Sequence, residues 1–239
     1  MDMDNEGLFM QGIMKNGMRK EKNWAKMKCN EPYKKATERF RKEILTRTDL
    51  DPTTLFQFSI FMAKSLLQML EDVEESFGIE GQRICNEALV KVGRDMGEQM
   101  FGGIEIPPDA REIELISFIA TKVNTVCWTS VEEPRIINDE KCEFDILWCP
   151  LEDEYSAFDC RIQRYLVQGI LDRVKEMHPG IDYNIEFLST IPAGAKTCKF
   201  QIIKKKKGTP DKWKLYSELL EKRALKRWKA KQDKDKKQG

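Results

Sequence analysis

The sequence predicts an α+β fold, in which N-terminal helices are followed by an antiparallel sheet with a long crossover helix. Three observations carry this. Apolar residues recur at helical spacing between Leu55 and Met100. They then alternate, with Cys142, Phe144, Ile146 and Trp148 on one side and Glu143, Asp145, Leu147 and Cys149 on the other. Helical spacing returns from Phe158 to Val174, ahead of two further β-rich runs. The 239 residues are 41% hydrophobic and include five Trp, five Tyr and twelve Phe, which is enough for one sizeable core or two small ones. That excludes a wholly disordered chain, although 34% of the residues are charged.

The elements follow in order. The Met-rich start (Met1, Met3, Met10, Met14, Met18, Met27) has no sustained period and is expected to be loosely ordered until about Pro32. Tyr33 to Thr46 reads as a short amphipathic helix. Asp51-Pro52 opens the next helix, an acid N-cap followed by a proline that needs no donor, and Gly78 stops it. A second helix spans Glu80 to Phe101, where Gly93 and Gly97 permit a neighbouring backbone to approach closely. Pro107-Pro108-Asp109 starts a third, with Asp109 and Glu112 at capping-box spacing. The β-branched run Val123 to Val131 predicts a strand. Asn138-Asp139-Glu140 is a turn between Arg135-Ile137 and the alternating strand that Pro150 ends. Ser156 to Met177 is a long helix closed by His178-Pro179-Gly180, and the strands Tyr183 to Leu188 and Thr197 to Ile203 flank Pro192-Ala193-Gly194.

Net charge divides the chain into three parts. Residues 1–50, a basic extension, carry +4; residues 51–203, the α+β domain, carry −13; residues 204–239, a basic tail able to form a helix over Asp211 to Lys231, carry +10. The last eight residues are expected to be disordered. The tail, with Trp213 and Trp228, has charge and stacking groups suited to nucleic acid or another anionic surface, but it has no base-reading motif and can simply pack on the acidic domain, so nucleic acid is not the expected partner. The most apolar stretch, Leu55 to Leu70, is interrupted by Gln57, Ser59, Lys64, Ser65 and Gln68, so no membrane span is expected. With no signal-peptide pattern, a cytoplasmic location is expected.

Seven cysteines, an odd number without a CxxC pair, read as thiols. The single histidine, His178, excludes an HExxH site and any three-histidine metal site. Its place at a helix end suits capping better than catalysis. Cys149, on the carboxylate side of its strand by alternation, is either a reactive group or a small buried hydrophobe. Cys160 lies near a helix start beside Arg161, where both could lower its pKa; otherwise it packs. Cys198 alternates with Phe200 and Ile202 and points inward, whereas Glu186 alternates with Asn184 toward a pocket or toward solvent. Three thiols and a carboxylate, Cys149, Cys160, Glu186 and Cys198, are the right donor types for one zinc ion.

Cys149-Pro150, Asp159-Cys160 and the closing run Thr190 to Phe200, with its Gly-containing turn leading to Cys-x-Phe, resemble the L-2-amino-thiazoline-4-carboxylic acid hydrolase family over roughly Phe77 to Ile203. The resemblance implies hydrolytic opening of a C–N bond in a small sulfur and nitrogen heterocycle, with Cys149, Cys160 and Cys198 as the residues carried over. The same closing segment is similar to zinc-stabilised small-molecule-binding domains of the 4-vinyl-reductase type. That second resemblance implies metal ligands at Cys160, Glu186 and Cys198, and Ser189 stands where a further cysteine would be expected.

Two functions are therefore expected to compete. One is hydrolysis assisted by zinc or by a Cys160 nucleophile, with His178 or Glu186 moving the proton. The other is a small-molecule-binding domain with structural zinc and no catalysis, its pocket lined by residues such as Trp128, Trp148 and Phe187. A homodimer paired through helices is compatible with either.

Overall fold

The computed structural model describes residues 23–156 and 159–238. The expectation for residues 1–22, and the place of Phe158, lie outside the described residues. Residues 23–31 depart from the loose order expected of them. Trp24 and Met27 are buried, the Trp24 ring meets Phe118 edge-on at 5.7 Å, and Lys28 bridges to Glu105.

Helix α1 (Lys34–Arg39) continues through a π turn, Phe40–Ile44, and buries none of its residues. Helix α2 (Thr53–Phe101) begins as expected, the Asp51 carboxylate accepting the Thr53 N–H at 2.9 Å. It is broken at Gly78, whose φ of 61° and ψ of −133° lie outside helical space.

Helix α3 (Glu112–Trp128) starts later than the Asp109–Glu112 spacing predicts. Arg111 is its cap, and the Glu114 carboxylate accepts the Arg111 backbone N–H at 2.8 Å. It also runs through most of the segment expected to be a strand. Ile116, Ile119 and Val123 form a buried stripe at helical spacing, and that burial outweighs the β propensity of the run. Thr129, left-handed at φ 51°, ends it.

Strands β1 (Val131–Asn138) and β2 (Lys141–Trp148) form a hairpin about the expected turn, closed by the Glu140 N–H on the Asn138 side chain at 2.9 Å. A reciprocal pair of bonds between Ser156 and Asp159 then opens a 3-10 turn, Asp159–Ile162, that leads into α4 (Gln163–Met177). Strands β3 (Tyr183–Ser189) and β4 (Cys198–Lys204) form a second hairpin. The two hairpins join through β2 and β4, giving the order β1-β2-β4-β3 with every pair antiparallel. This is the expected α+β fold.

Helices α3 and α4 cover one face of the sheet, where Phe144 and Phe200 stack at 4.6 Å. The other face is polar, with Asp145 paired to Arg135 at 2.6 Å. Helix α2 crosses α4 where Gly93 and Gly97 meet Leu166, Gly169 and Ile170, so the close approach expected of these glycines is made to α4.

Helix α5 (Lys212–Gln238) packs on its own chain and buries Leu220, Ala224 and Trp228. Its backbone is helical to Gln238, where the sequence suggested disorder from about residue 232. Lys231 pairs with Glu75 at 3.1 Å, one instance of the basic tail meeting the acidic domain. Among the described residues no helix is long and apolar enough to cross a membrane.

Candidate functional site

An apolar cavity of about 130 Å³ lies between α3, α4 and the sheet. Helix α3 lines it with Ile116, Ile119, Val123, Asn124 and Trp128, and α4 with Val167 and Leu171. The sheet contributes Ile146, Ile185, Phe187, Phe200 and Ile202, and Trp213 and Tyr216 of α5 complete the wall. The volume is close to the roughly 150 Å³ of an apolar cavity that takes up benzene.

Cys149, Cys160 and Cys198 all line this cavity, so residues 49 positions apart in the chain meet at one place. Each arrives by a different route. The β1–β2 register slips between Val131↔Trp148 and Glu132↔Ile146, a bulge that breaks the alternation at Leu147. Trp148 is thereby turned out against Phe56 at 6.0 Å and is absent from the cavity wall, contrary to the alternation. Cys149, expected beside Glu143 and Asp145, lies beyond the strand and lines the cavity. Cys160 sits in the 3-10 turn before α4, and Cys198 opens β4 facing inward as expected. Of the three expected pocket aromatics, Trp128 and Phe187 line the cavity.

The thiols are held neutral. Burial raises the pKa of Cys149 and Cys198 and pushes Cys160 up to about 12, with the other two thiols adding to the rise. This reverses the lowering expected at Cys160, because Arg161 turns away from it to form a buried ion pair with Glu74. Backbone N–H groups only partly offset the effect: Leu151 on Cys149, and Ile191 on Cys198 at 3.1 Å. The Ile191 donor is positioned by the Ile191–Ala193 turn that Gly194, at φ 92°, terminates.

Two other sequence candidates are elsewhere. Glu186 pairs across the sheet with Gln201 and binds Lys212 at 2.6 Å, while its neighbours Ile185 and Phe187 face the cavity. It lies on the polar face of the sheet, and Lys212 and Gln201 hold its carboxyl below the usual range. His178 caps the far end of α4, roughly 20 Å by helical rise from the Cys160 turn. Among the described residues no three His, Cys, Asp or Glu side chains are grouped to hold a metal ion. The set Cys149, Cys160, Glu186 and Cys198 is not assembled, since the three thiols line the cavity and Glu186 lies on the opposite face of the sheet.

A carboxyl that the sequence pattern does not single out lies behind the cavity wall, next to Asn124. Glu132 is 7% exposed on β1 and forms a rung with Ile146 and Cys198 on the cavity side of the sheet, its Cα about 10 Å from that of Cys198 by strand spacing. It accepts a hydrogen bond from the side-chain amide of Asn124, which itself lines the cavity. Burial pushes its pKa up to about 7, with Thr121 and Asn124 partly offsetting the rise. The signal was the parity of β1: Glu132 shares a face with Ile136, which packs on the core.

The raised value has a consequence for stability. The fold favours the neutral acid, so its contribution is fully present below the ordinary carboxyl value of 4.5 and is lost as pH rises through about 7. Unfolding free energy is expected to fall by up to about 3 kcal/mol between pH 5 and pH 8 from this group. Denaturant titrations of Glu132→Gln should show a flatter profile over that range.

No protein-family model matches the chain. It is 41% identical over 199 residues to an uncharacterized protein of Archaeoglobus fulgidus, a match that covers 81% of this chain and 88% of the relative. With that identity over that much of both chains, the protein belongs to the family of this archaeal protein.

Proposed function

We propose that the protein binds a small, largely apolar molecule in the cavity between α3, α4 and the sheet. The observation that carries this is the cavity wall, which is predominantly aliphatic and aromatic with a few polar groups among them. The cations among the lining residues are already engaged, Arg161 with Glu74 and Lys175 with Asp182 at 2.7 Å. A ligand that carried a carboxylate would have to bury it without a counter-charge, at a cost of several kcal/mol or more. Seven unbridged cysteines suit a reducing, cytoplasmic setting. Toluene is the first probe. It is expected to raise the melting temperature of the wild-type protein, and Ile119→Trp, which fills the cavity, should abolish the rise. No shift in the wild type would overturn this reading.

A second reading, hydrolysis of a C–N bond in a small heterocycle, is favoured by one observation. The three cysteines implied by the resemblance converge on a single cavity. It predicts turnover of L-2-amino-thiazoline-4-carboxylate that is lost in Cys160→Ala, and no turnover by the wild type would remove it. Zinc is addressed by elemental analysis of protein purified without chelator. Because the donors are not grouped, less than stoichiometric metal is expected. Near-stoichiometric zinc that is lost in both Cys160→Ala and Cys198→Ala would instead make the thiol end a metal centre.

As to assembly, Phe58, Phe61 and Met69 leave 62%, 65% and 61% of their surface exposed along one face of α2. We place a second copy of the chain on this face, since with Leu55, Met62 and Leu66 beside them it amounts to a patch of several hundred Å², approaching the roughly 800 Å² a stable dimer buries per partner. Sedimentation should show a dimer that Phe61→Lys converts to a monomer.

A further inference from the structure

We propose that Asn124 and Glu132 form a recognition point for an amine, so that the ligand is a small hydrophobic molecule bearing an ammonium group. This deepens the proposed function and rests on it. Three observations support it. Asn124 is among the few polar side chains in the cavity wall, and its amide nitrogen is committed to one oxygen of Glu132. The other oxygen, Oε1, and the Thr121 hydroxyl near this carboxyl are both buried without a well-formed hydrogen bond. The groups facing this carboxyl are Thr121 and Asn124 from α3 and the Cys142 thiol from β2, and none carries a positive charge.

A buried carboxyl without a counter-ion ordinarily costs stability, so the empty site favours the protonated form more than water does, and the acid is neutral below about pH 7. An ammonium group supplies the missing charge. Glu132 is not itself a wall residue and is reached through Asn124: an ammonium that takes the place of the Asn124 amide nitrogen can donate to the Glu132 carboxylate and to the Asn124 side-chain oxygen, while its apolar body occupies the space beside Val123, Ile146 and Phe187. Glu132 then ionises and gives up its proton to solvent as the ligand binds. The chemistry is neutral acid plus ammonium going to an ion pair plus one released proton, with no bond made or broken in the ligand. An alcohol or hydrocarbon of the same shape gains no such pair.

Benzylamine, benzyl alcohol and toluene, titrated calorimetrically into the full chain, test this. Benzylamine is expected to bind at least tenfold more tightly than toluene at pH 8. Its advantage should shrink toward pH 6 as Glu132 takes up its proton, and at pH 6 proton release should be visible as a dependence of the binding enthalpy on the buffer, fading by pH 8. In Glu132→Gln, which retains the shape of the neutral acid, toluene should bind as in the wild type and the preference for the amine should disappear. Asn124→Ala should reduce it less. Toluene binding with no preference for benzylamine, or a preference unchanged in Glu132→Gln, overturns the inference while leaving the apolar site standing. Binding of neither compound overturns both.

Discussion

Gly169→Ala is expected to destabilise the protein by about 3 kcal/mol or more, measured as a shift in the urea midpoint. A methyl group built on Gly169 would lie 2.1 Å from the Val90 carbonyl oxygen and 2.8 Å from the Arg94 backbone nitrogen. At Gly93, on the facing helix, it would lie 2.0 Å from the Leu166 carbonyl oxygen. The obstructing atoms are backbone, so relief requires α2 and α4 to separate, and α4 also bears on the sheet and lines the cavity. Alanine gains about 1 kcal/mol of helix propensity over glycine, which offsets only part of the loss. Gly180→Ala is the control: a methyl group there meets nothing within 4 Å, and its midpoint should hardly move.

Glu74→Ala carries the second large effect. Glu74 and Arg161 form an ion pair in which the side chains are only 6% and 2% exposed, and the Trp228 indole N–H donates to the same carboxylate at 3.4 Å. Removing the carboxylate takes the Glu74 counter-charge from a buried guanidinium, a loss of about 3–5 kcal/mol. Replacing both partners by apolar residues, Glu74→Leu with Arg161→Met, should recover most of it. The single variant should have a further mark. Cys160 adjoins Arg161, so its thiol, slow to react in the wild type, should become accessible to a thiol reagent under native conditions while Cys142 stays protected.

Much of the fold could be read from local pattern because the pattern and the tertiary environment agree. Asp51 caps its helix, Gly78 breaks it, and Phe144 alternates inward because each residue meets the surroundings its neighbours imply. Disagreement arose where burial overrode propensity. Val123 to Trp128 is β-branched and aromatic enough for a strand, yet a stripe of apolar residues three and four apart keeps it helical against the sheet.

The site was legible in part for the same reason. Cys198 follows regular alternation and was placed correctly. Cys149 and Trp148 lie beyond a one-residue bulge, which reverses the faces of everything after it and leaves no mark in composition. Glu132 was overlooked because a glutamate in Val-Glu-Glu-Pro looks solvated, and only the register of β1 against β2 brings it inside. Arg161 was read as an activator of its neighbour Cys160. Its true partner lies 87 positions earlier in the chain, beyond the reach of any local pattern.

The wall of the cavity is not built in one stretch of synthesis. Trp213 and Tyr216 complete it, and Trp228 covers the Glu74–Arg161 pair, yet all three leave the ribosome after the sheet and the other lining helices. During translation there is an interval in which the sheet and its covering helices can already have formed while one side of the chamber stands open. A ligand present in that interval can be enclosed as the last helix docks. In the finished protein the same helix remains part of the wall, so loosening the hold of α5 on the rest of the chain would open that side to exchange of the ligand.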